Sequence, residues 1–181
     1  IQSGLYENAE KIINIPIVFV NALGTVMLPK MSNLVARGKK ELGQIYIRDS
    51  MQFIMGLAIP VTMGTAGIAS NFTPVFFGEE FRDSSVVIMV LSVITLFNSW
   101  ANVIRTQYLI PNQRDREYII SVIAGAIVNI IINSLLITRM GAMGAAIGTV
   151  FAEFTVMFIQ TIFVCKKLPI LKYMQDSWLF I

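Results

Sequence analysis

The stretch that decides the fold is "GAAIGTVFAEFTVMFIQTIF", residues 144–163, which is apolar, small or uncharged throughout except for one carboxylate, Glu153. From Met140 to Cys165 no other charge occurs. Four more runs are fully uncharged: between Lys11 and Lys30, Asp49 and Glu79, Asp83 and Arg105, and Glu117 and Arg139. Each run holds about 18 residues or more, and a helix needs about 20 mostly apolar residues to cross the hydrocarbon core of a bilayer. Five such runs in 181 residues leave no room for a water-soluble core. Only 14% of residues are charged and the mean hydropathy is +0.69, whereas soluble domains average about a quarter charged. The sequence predicts an all-α, polytopic transmembrane bundle.

The spans are predicted at about 6–36, 44–69, 84–111, 116–138 and 142–165. Residues 166–181 read as a cytoplasmic segment leading into the truncated start of a further span, "DSWLFI". The longest connection, "SNFTPVFFGEEFRDS", has about 15 residues. Charge sets the orientation. One side collects Lys30, Arg37, Lys39, Lys40, Arg48, Arg105, Arg114, Arg116, Lys166, Lys167 and Lys172, whereas the other has only Lys11, Arg82 and Arg139. Short basic loops stay in the cytoplasm, so the first helix enters from outside. The net charge of +3 then reflects topology, and no nucleic-acid partner is expected.

The chain has no His and one cysteine, Cys165. Intramolecular disulfides, Cys/His zinc sites and His-based nucleophile arrangements are therefore excluded. No metal, cofactor or enzymatic role is expected. A membrane-embedded glycosyltransferase or polymerase is the remote alternative, since such enzymes carry carboxylates in larger loops than these.

Polar residues recur at helical spacing: Asn14, Asn21, Thr25 and Ser32 in the first span, and Ser92, Thr95, Ser99, Asn102 and Thr106 in the third, with Asn98 and Arg105 beside them. The fourth carries Ser121, Gly125, Asn129 and Asn133, and the fifth Thr149, Glu153 and Gln160. Helical geometry puts each set on one side. Singly, such residues are helix–helix glue. Together they suggest a polar cavity, with Asn21, Asn98, Asn102, Asn129 and Asn133 as lining candidates. An ionised carboxylate facing lipid at mid-depth is costly, so Glu153 is either hydrogen-bonded structurally or coupled to a transported proton or cation. Arg48 and Arg105, at the cytoplasmic ends of their spans, either snorkel to headgroups or capture an anion bidentately. Lys30 reads as a topology determinant.

"GLYENAEKIINIPIVFVNALGTVMLPKMSNL" (4–34) resembles the eighth helix of repeat-unit flippases, the Wzx-type members of the multidrug/oligosaccharidyl-lipid/polysaccharide exporter superfamily. The resemblance continues in order through "PVFFGEEFRDSS" (74–85), "TQYLIPNQRDREY" (106–118), "VNIIINSLLI" (128–137) and "GAMGAAIGTVFAEF" (141–154). It implies a C-terminal-half fragment, five of six helices of one lobe, with an N-terminal lobe completing a central cavity. It also implies alternating access in a bacterial plasma membrane, turning an undecaprenyl-diphosphate-linked oligosaccharide outward. Membrane lipid and polysaccharide polymerase or assembly proteins are the implied neighbours. A drug/cation antiporter and a peptidoglycan-precursor flippase of the same superfamily are the alternatives.

Overall fold

A computed structural model describes residues 2–170 and residue 173, so the suggested start of a further span, "DSWLFI" at 176–181, lies outside the described residues. The helices are α1 (Gln2–Ala36), α2 (Lys40–Phe77), α3 (Ser84–Ser92), α4 (Ile94–Ile104), α5 (Asp115–Met140) and α6 (Ala142–Cys165). A 3-10 turn at Glu79–Phe81 precedes α3, and a π-helical turn at Arg105–Leu109 extends α4. No strand occurs among the described residues. The result is five helices long and apolar enough to span a membrane, with α3, α4 and the π turn acting together as the third. Helix is the form lipid demands, because each backbone donor and acceptor is satisfied inside its own segment.

Four boundaries differ from the sequence reading. First, α1 begins at Gln2. Second, α2 starts at Lys40 and runs on to Phe77, through Pro74. Pro74 takes one donor from the ladder and the Thr73 hydroxyl donates to the Ala69 carbonyl at 2.7 Å, but a membrane helix tolerates that loss. The expected 15-residue connection shrinks to the stretch from Gly78 to Asp83. Third, the third span is interrupted at Val93, where the Leu96 amide bonds to the Val93 carbonyl instead of to that of Ser92, one residue further back. Fourth, α5 is longer by a residue or two at each end than 116–138.

The third span is the centre of the bundle. Its most apolar window is 67% buried, against 28% or less in each of the other four. It packs against α1, α2 and α6, whereas α5 lies outside and packs almost wholly on α6. Two apolar clusters fill the interior. Leu5, Ala9, Ile88, Leu91, Ile94 and Ala146 belong to one end. Met51, Ile54, Val103, Ile104, Leu109 and Val164 belong to the end where the lysine- and arginine-rich connections gather. Buried polar side chains of the third span run alongside both, from Ser92 next to Leu91 to Thr106 and Gln107 among Val103, Ile104 and Leu109. Outward-facing residues such as Phe19, Phe53, Ile68, Ile130 and Leu135 are large and apolar, as contact with acyl chains requires.

Close approach of α5 and α6 depends on small residues. A Cβ on Gly144 would stand 2.6 Å from the carbonyl carbon of Leu136, and one on Gly125 would stand 2.5 Å from Cγ2 of Val156. The two helices are joined by Gly141 alone, at φ +55°, a backbone conformation that side chains disfavour.

Candidate functional site

The buried stripe of the third span is as the spacing predicts: Ser92, Thr95, Ser99, Asn102 and Thr106 all face the interior. Three of its members are tied down. Asn102, 2% exposed, donates through Nδ2 to Oδ1 of Asn21 on α1. The Thr106 hydroxyl donates to the Asn102 carbonyl at 2.7 Å, and that of Ser92 to the Met89 carbonyl at 2.7 Å. Gly24 makes the α1–α4 contact possible, since a Cβ there would collide with the Asn102 side chain. Asn21 and Asn102 thus join two helices across a buried interface. The Thr95 and Ser99 hydroxyls, one and two turns away, are buried without a partner.

Asn98, on the neighbouring face of α4, is placed differently. It lines a cavity of about 140 Å³ with Tyr6, Glu10 and Asn14 of α1, and Thr149 and Glu153 of α6. The phenol of Tyr6 and the hydroxyl of Thr149 lie 2.9 Å apart, and the latter donates to the Ala145 carbonyl at 3.0 Å. Tyr6 is therefore the donor between the two. Asn98 Oδ1 is buried with no partner. The structure brings Asn98 and Glu153, selected from different helices, to one hollow, and adds Glu10, Tyr6 and Asn14 to it. The Asn98 side chain hydrogen-bonds Glu153, which leaves only its oxygen unpaired, and Ile13, Ile17, Leu91 and Ile94 complete the walls. Two carboxylates, an amide and two hydroxyl groups thus meet in a hollow able to hold water, a proton or a small cation.

The remaining candidates lie elsewhere. Asn133 donates through Nδ2 to Oδ1 of Asn129, one turn away, at 2.9 Å. Its own Oδ1 is buried without a partner, and its side chain presses on Gly148 of α6. Both residues belong to the α5–α6 interface. Arg48 pairs with the adjacent Asp49 at 3.0 Å, and both side chains are about half exposed. Arg105 opens the π turn, its guanidinium 5.7 Å from the centre of the Tyr118 ring, within cation–π range. Arg105 and Asn98 are two turns apart on one helix, about 10 Å along its axis. Lys30 stands 3.8 Å over the Tyr46 ring.

Spacing gave no sign of three placements. Trp100 Nε1 donates to the Thr161 hydroxyl at 2.9 Å. Gln160 donates to the Ser121 hydroxyl at 3.1 Å, joining two stripes that sequence gave no reason to pair. Gln107 is wholly buried with neither amide atom bonded. The π turn explains the last: one surplus residue shifts the helical phase, so α-spacing from Asn102 no longer tells which way residue 107 faces.

A bundle of long apolar helices whose central helix carries a buried polar stripe, beside a hollow that takes in Glu10 and Glu153, defines a polytopic helical membrane protein. Comparison with known proteins narrows this. Residues 3–179 match the model of the family described as Lipid II flippase MurJ, and the chain belongs to that family. It is 28% identical over 97% of its length to the "Probable low-salt glycan biosynthesis flippase Agl15" of Haloferax volcanii, covering 37% of that protein. It is 27% identical over 93% of its length to the "Uncharacterized membrane protein MJ1068" of Methanocaldococcus jannaschii, covering 33% of it. The "Lipid II flippase MurJ" of Bacillus subtilis is 23% identical over 77% of the chain and 26% of its own length. The chain thus spans roughly a third of the length of these curated relatives. No solved structure matches.

Proposed function

We propose that this chain is part of a flippase for a lipid-linked glycan, and that it supplies helices of one lobe of the transport path. Such a protein must carry a large hydrophilic headgroup across hydrocarbon while the lipid tail stays in the bilayer. Inward polar groups with apolar outer faces suit that task. The observation that carries the reading is the hollow shared by Asn98, Glu10 and Glu153, set within the apolar cluster that holds Ile13, Leu91 and Ile94. Net flux requires coupling to a gradient or to downstream consumption, because binding energy alone moves an equilibrium in neither direction. Glu153 is the coupling group, charging and discharging as the chamber changes access, and the end carrying Lys39, Lys40 and Lys167 is cytoplasmic.

For the cargo, the ordered motifs from residue 4 to residue 154 favour an undecaprenyl-diphosphate-linked oligosaccharide repeat unit destined for capsule, O-antigen or exopolysaccharide at a bacterial plasma membrane. The family match favours the peptidoglycan precursor lipid II instead, on comparable grounds. Either cargo carries a diphosphate, which suits Arg105 as the anion-binding residue of the path.

The test uses the full-length transporter carrying this segment, reconstituted in proteoliposomes with an imposed pH gradient. Fluorescent lipid II and an undecaprenyl-diphosphate oligosaccharide are assayed side by side, which names the cargo. Glu153→Gln is expected to remove the dependence of flipping on the gradient while leaving substrate binding intact. Unchanged flipping with an unchanged pH profile refutes the coupling role, and failure to move either lipid refutes the flippase reading.

A further inference from the structure

At the basic end of the bundle a second cavity, about 330 Å³ in volume, opens between the last turns of α1, the first turns of α2, the π turn and the turn after α6. At about 30 Å³ per water, that space suits a headgroup better than a lone ion. Its floor is apolar, formed by Met31, Leu34, Ile47 and Leu168, and its rim carries Lys39, Lys40 and Lys167. Among the described residues no Asp or Glu lines it. Among the described residues the ion pairs are Arg48–Asp49, Arg82–Glu79 and Arg114–Glu117, so none of these lysines is neutralised by a carboxylate. Glu117 lies within the electrostatic reach of Lys167, but its carboxylate is held by Arg114 at 2.7 Å.

Two independent features turn this collection of charges into a built site. Gln107 lines the cavity, is 0% exposed, and has neither a donor for its Oε1 nor an acceptor for its Nε2. Burying an amide with both ends unpaired is unfavourable unless a partner arrives. In addition, α2 begins at this rim without a side-chain cap at Lys39. The Lys39 and Lys40 amides bond to the Leu34 and Gly38 carbonyls, which leaves those of Glu41 and Leu42 and the positive end of the dipole for an anion.

The geometry points to a binding site for the phosphate of a lipid headgroup, with Lys39, Lys40 and Lys167 around the phosphate oxygens, the Gln107 amide donating from below, and the apolar floor against the first carbons of the lipid chain. The site is distinct from the Asn98–Glu153 chamber and does not depend on the flippase reading. Phosphatidylglycerol and a polyprenyl diphosphate share the chemistry it recognises.

The test is native mass spectrometry of the protein released from phosphatidylcholine nanodiscs doped with phosphatidylglycerol or with undecaprenyl diphosphate. At least one of the two is expected to remain bound. Its apparent affinity should fall about tenfold or more in K39Q/K40Q/K167Q, the scale of lost hydrogen bonds to charged groups. Gln107→Met should weaken binding several-fold while leaving the thermal unfolding temperature unchanged or raised, because it removes the unpaired amide. The control R37Q/R116Q/K166Q removes the same charge from the same end at residues that do not line the cavity. It should stay within about threefold of the parent, since exposed surface charges act weakly. Retention of phosphatidylglycerol alone identifies a membrane-lipid site, and of undecaprenyl diphosphate alone a carrier-lipid site. The proposal is overturned if neither lipid is retained, if both triple variants weaken binding equally, or if Gln107→Met binds as the parent does.

Discussion

Replacing Gly144 with alanine adds a single carbon, and the structure sets where that carbon goes. It would stand 2.6 Å from both the carbonyl carbon and oxygen of Leu136 and 2.9 Å from the Ile137 nitrogen. Ordinary contact distances are about 3.5–4.0 Å, so the shortfall is roughly an ångström. All three neighbours are backbone atoms, and no rotamer change relieves the overlap. Helices α5 and α6 must separate, and overpacking of this kind costs about 1–3 kcal/mol. Alanine also gains about 0.8–1 kcal/mol of helix propensity over glycine, which masks part of the loss. Gly56 on α2 supplies the reference, because a Cβ there meets nothing within 4 Å. Gly56→Ala therefore receives the propensity gain without the overlap. The expected difference in unfolding free energy between the two variants is about 1–3 kcal/mol, or roughly 5- to 150-fold in the equilibrium constant. Unfolding by sodium dodecyl sulfate in mixed micelles, followed by circular dichroism, measures it. If Gly144→Ala proves as stable as Gly56→Ala, the α5–α6 contact is looser than described and the argument for a small-residue seam fails.

Other outcomes follow from the same packing. A double-mutant cycle with Asn21→Val and Asn102→Val should give a favourable coupling of about 0.6 kcal/mol and no more than about 1.7 kcal/mol, the range for hydrogen bonds inside membrane bundles. A coupling of zero would mean that these side chains do not meet. Thr161→Val should cost about 0.5–1.5 kcal/mol and shift the emission of Trp100, whose indole loses its acceptor; unchanged fluorescence would contradict the bond. Asp49→Asn should change stability by less than about 1 kcal/mol, since the Arg48–Asp49 pair is solvent-exposed. A larger loss in the same micelle titration would show Arg48 to be engaged in more than that pair.

Long runs with no charge, or with Glu153 alone, made all five spans legible, because a bilayer excludes charge over a fixed thickness and leaves a gap of matching length in the sequence. The buried stripe of the third span was legible for a similar reason: α-geometry repeats every 3.6 residues, and Ser92 to Thr106 hold that period. What escaped notice is what breaks local periodicity or depends on a partner. Pro74 lies in the stretch read as a connection, yet the helix passes through it to Phe77. The interruption at Val93 and the π turn leave no residue signature in "LSVITL" or "RTQYL", so Gln107 could not be assigned to a face. Pairings such as Gln160 with Ser121 and Trp100 with Thr161 connect distant segments, and spacing within one helix carries no information about which neighbour it meets. Asn98 and Glu153 were selected separately, one by its place beside the stripe and the other by its isolation. Their common chamber required the fold.

The one-residue hinge at Gly141 has a mechanical consequence. Helix α5 has a single substantial neighbour, α6, and is bound to it both by a connection with no slack and by glycine contacts along its flank. It therefore acts as a handle on the helix that carries Glu153. Any push or tilt delivered to its outer surface, by stretched lipid or by an adjoining protein, enters the bundle through α6, and so through the helix that carries Glu153 and packs on α1, α3 and α4.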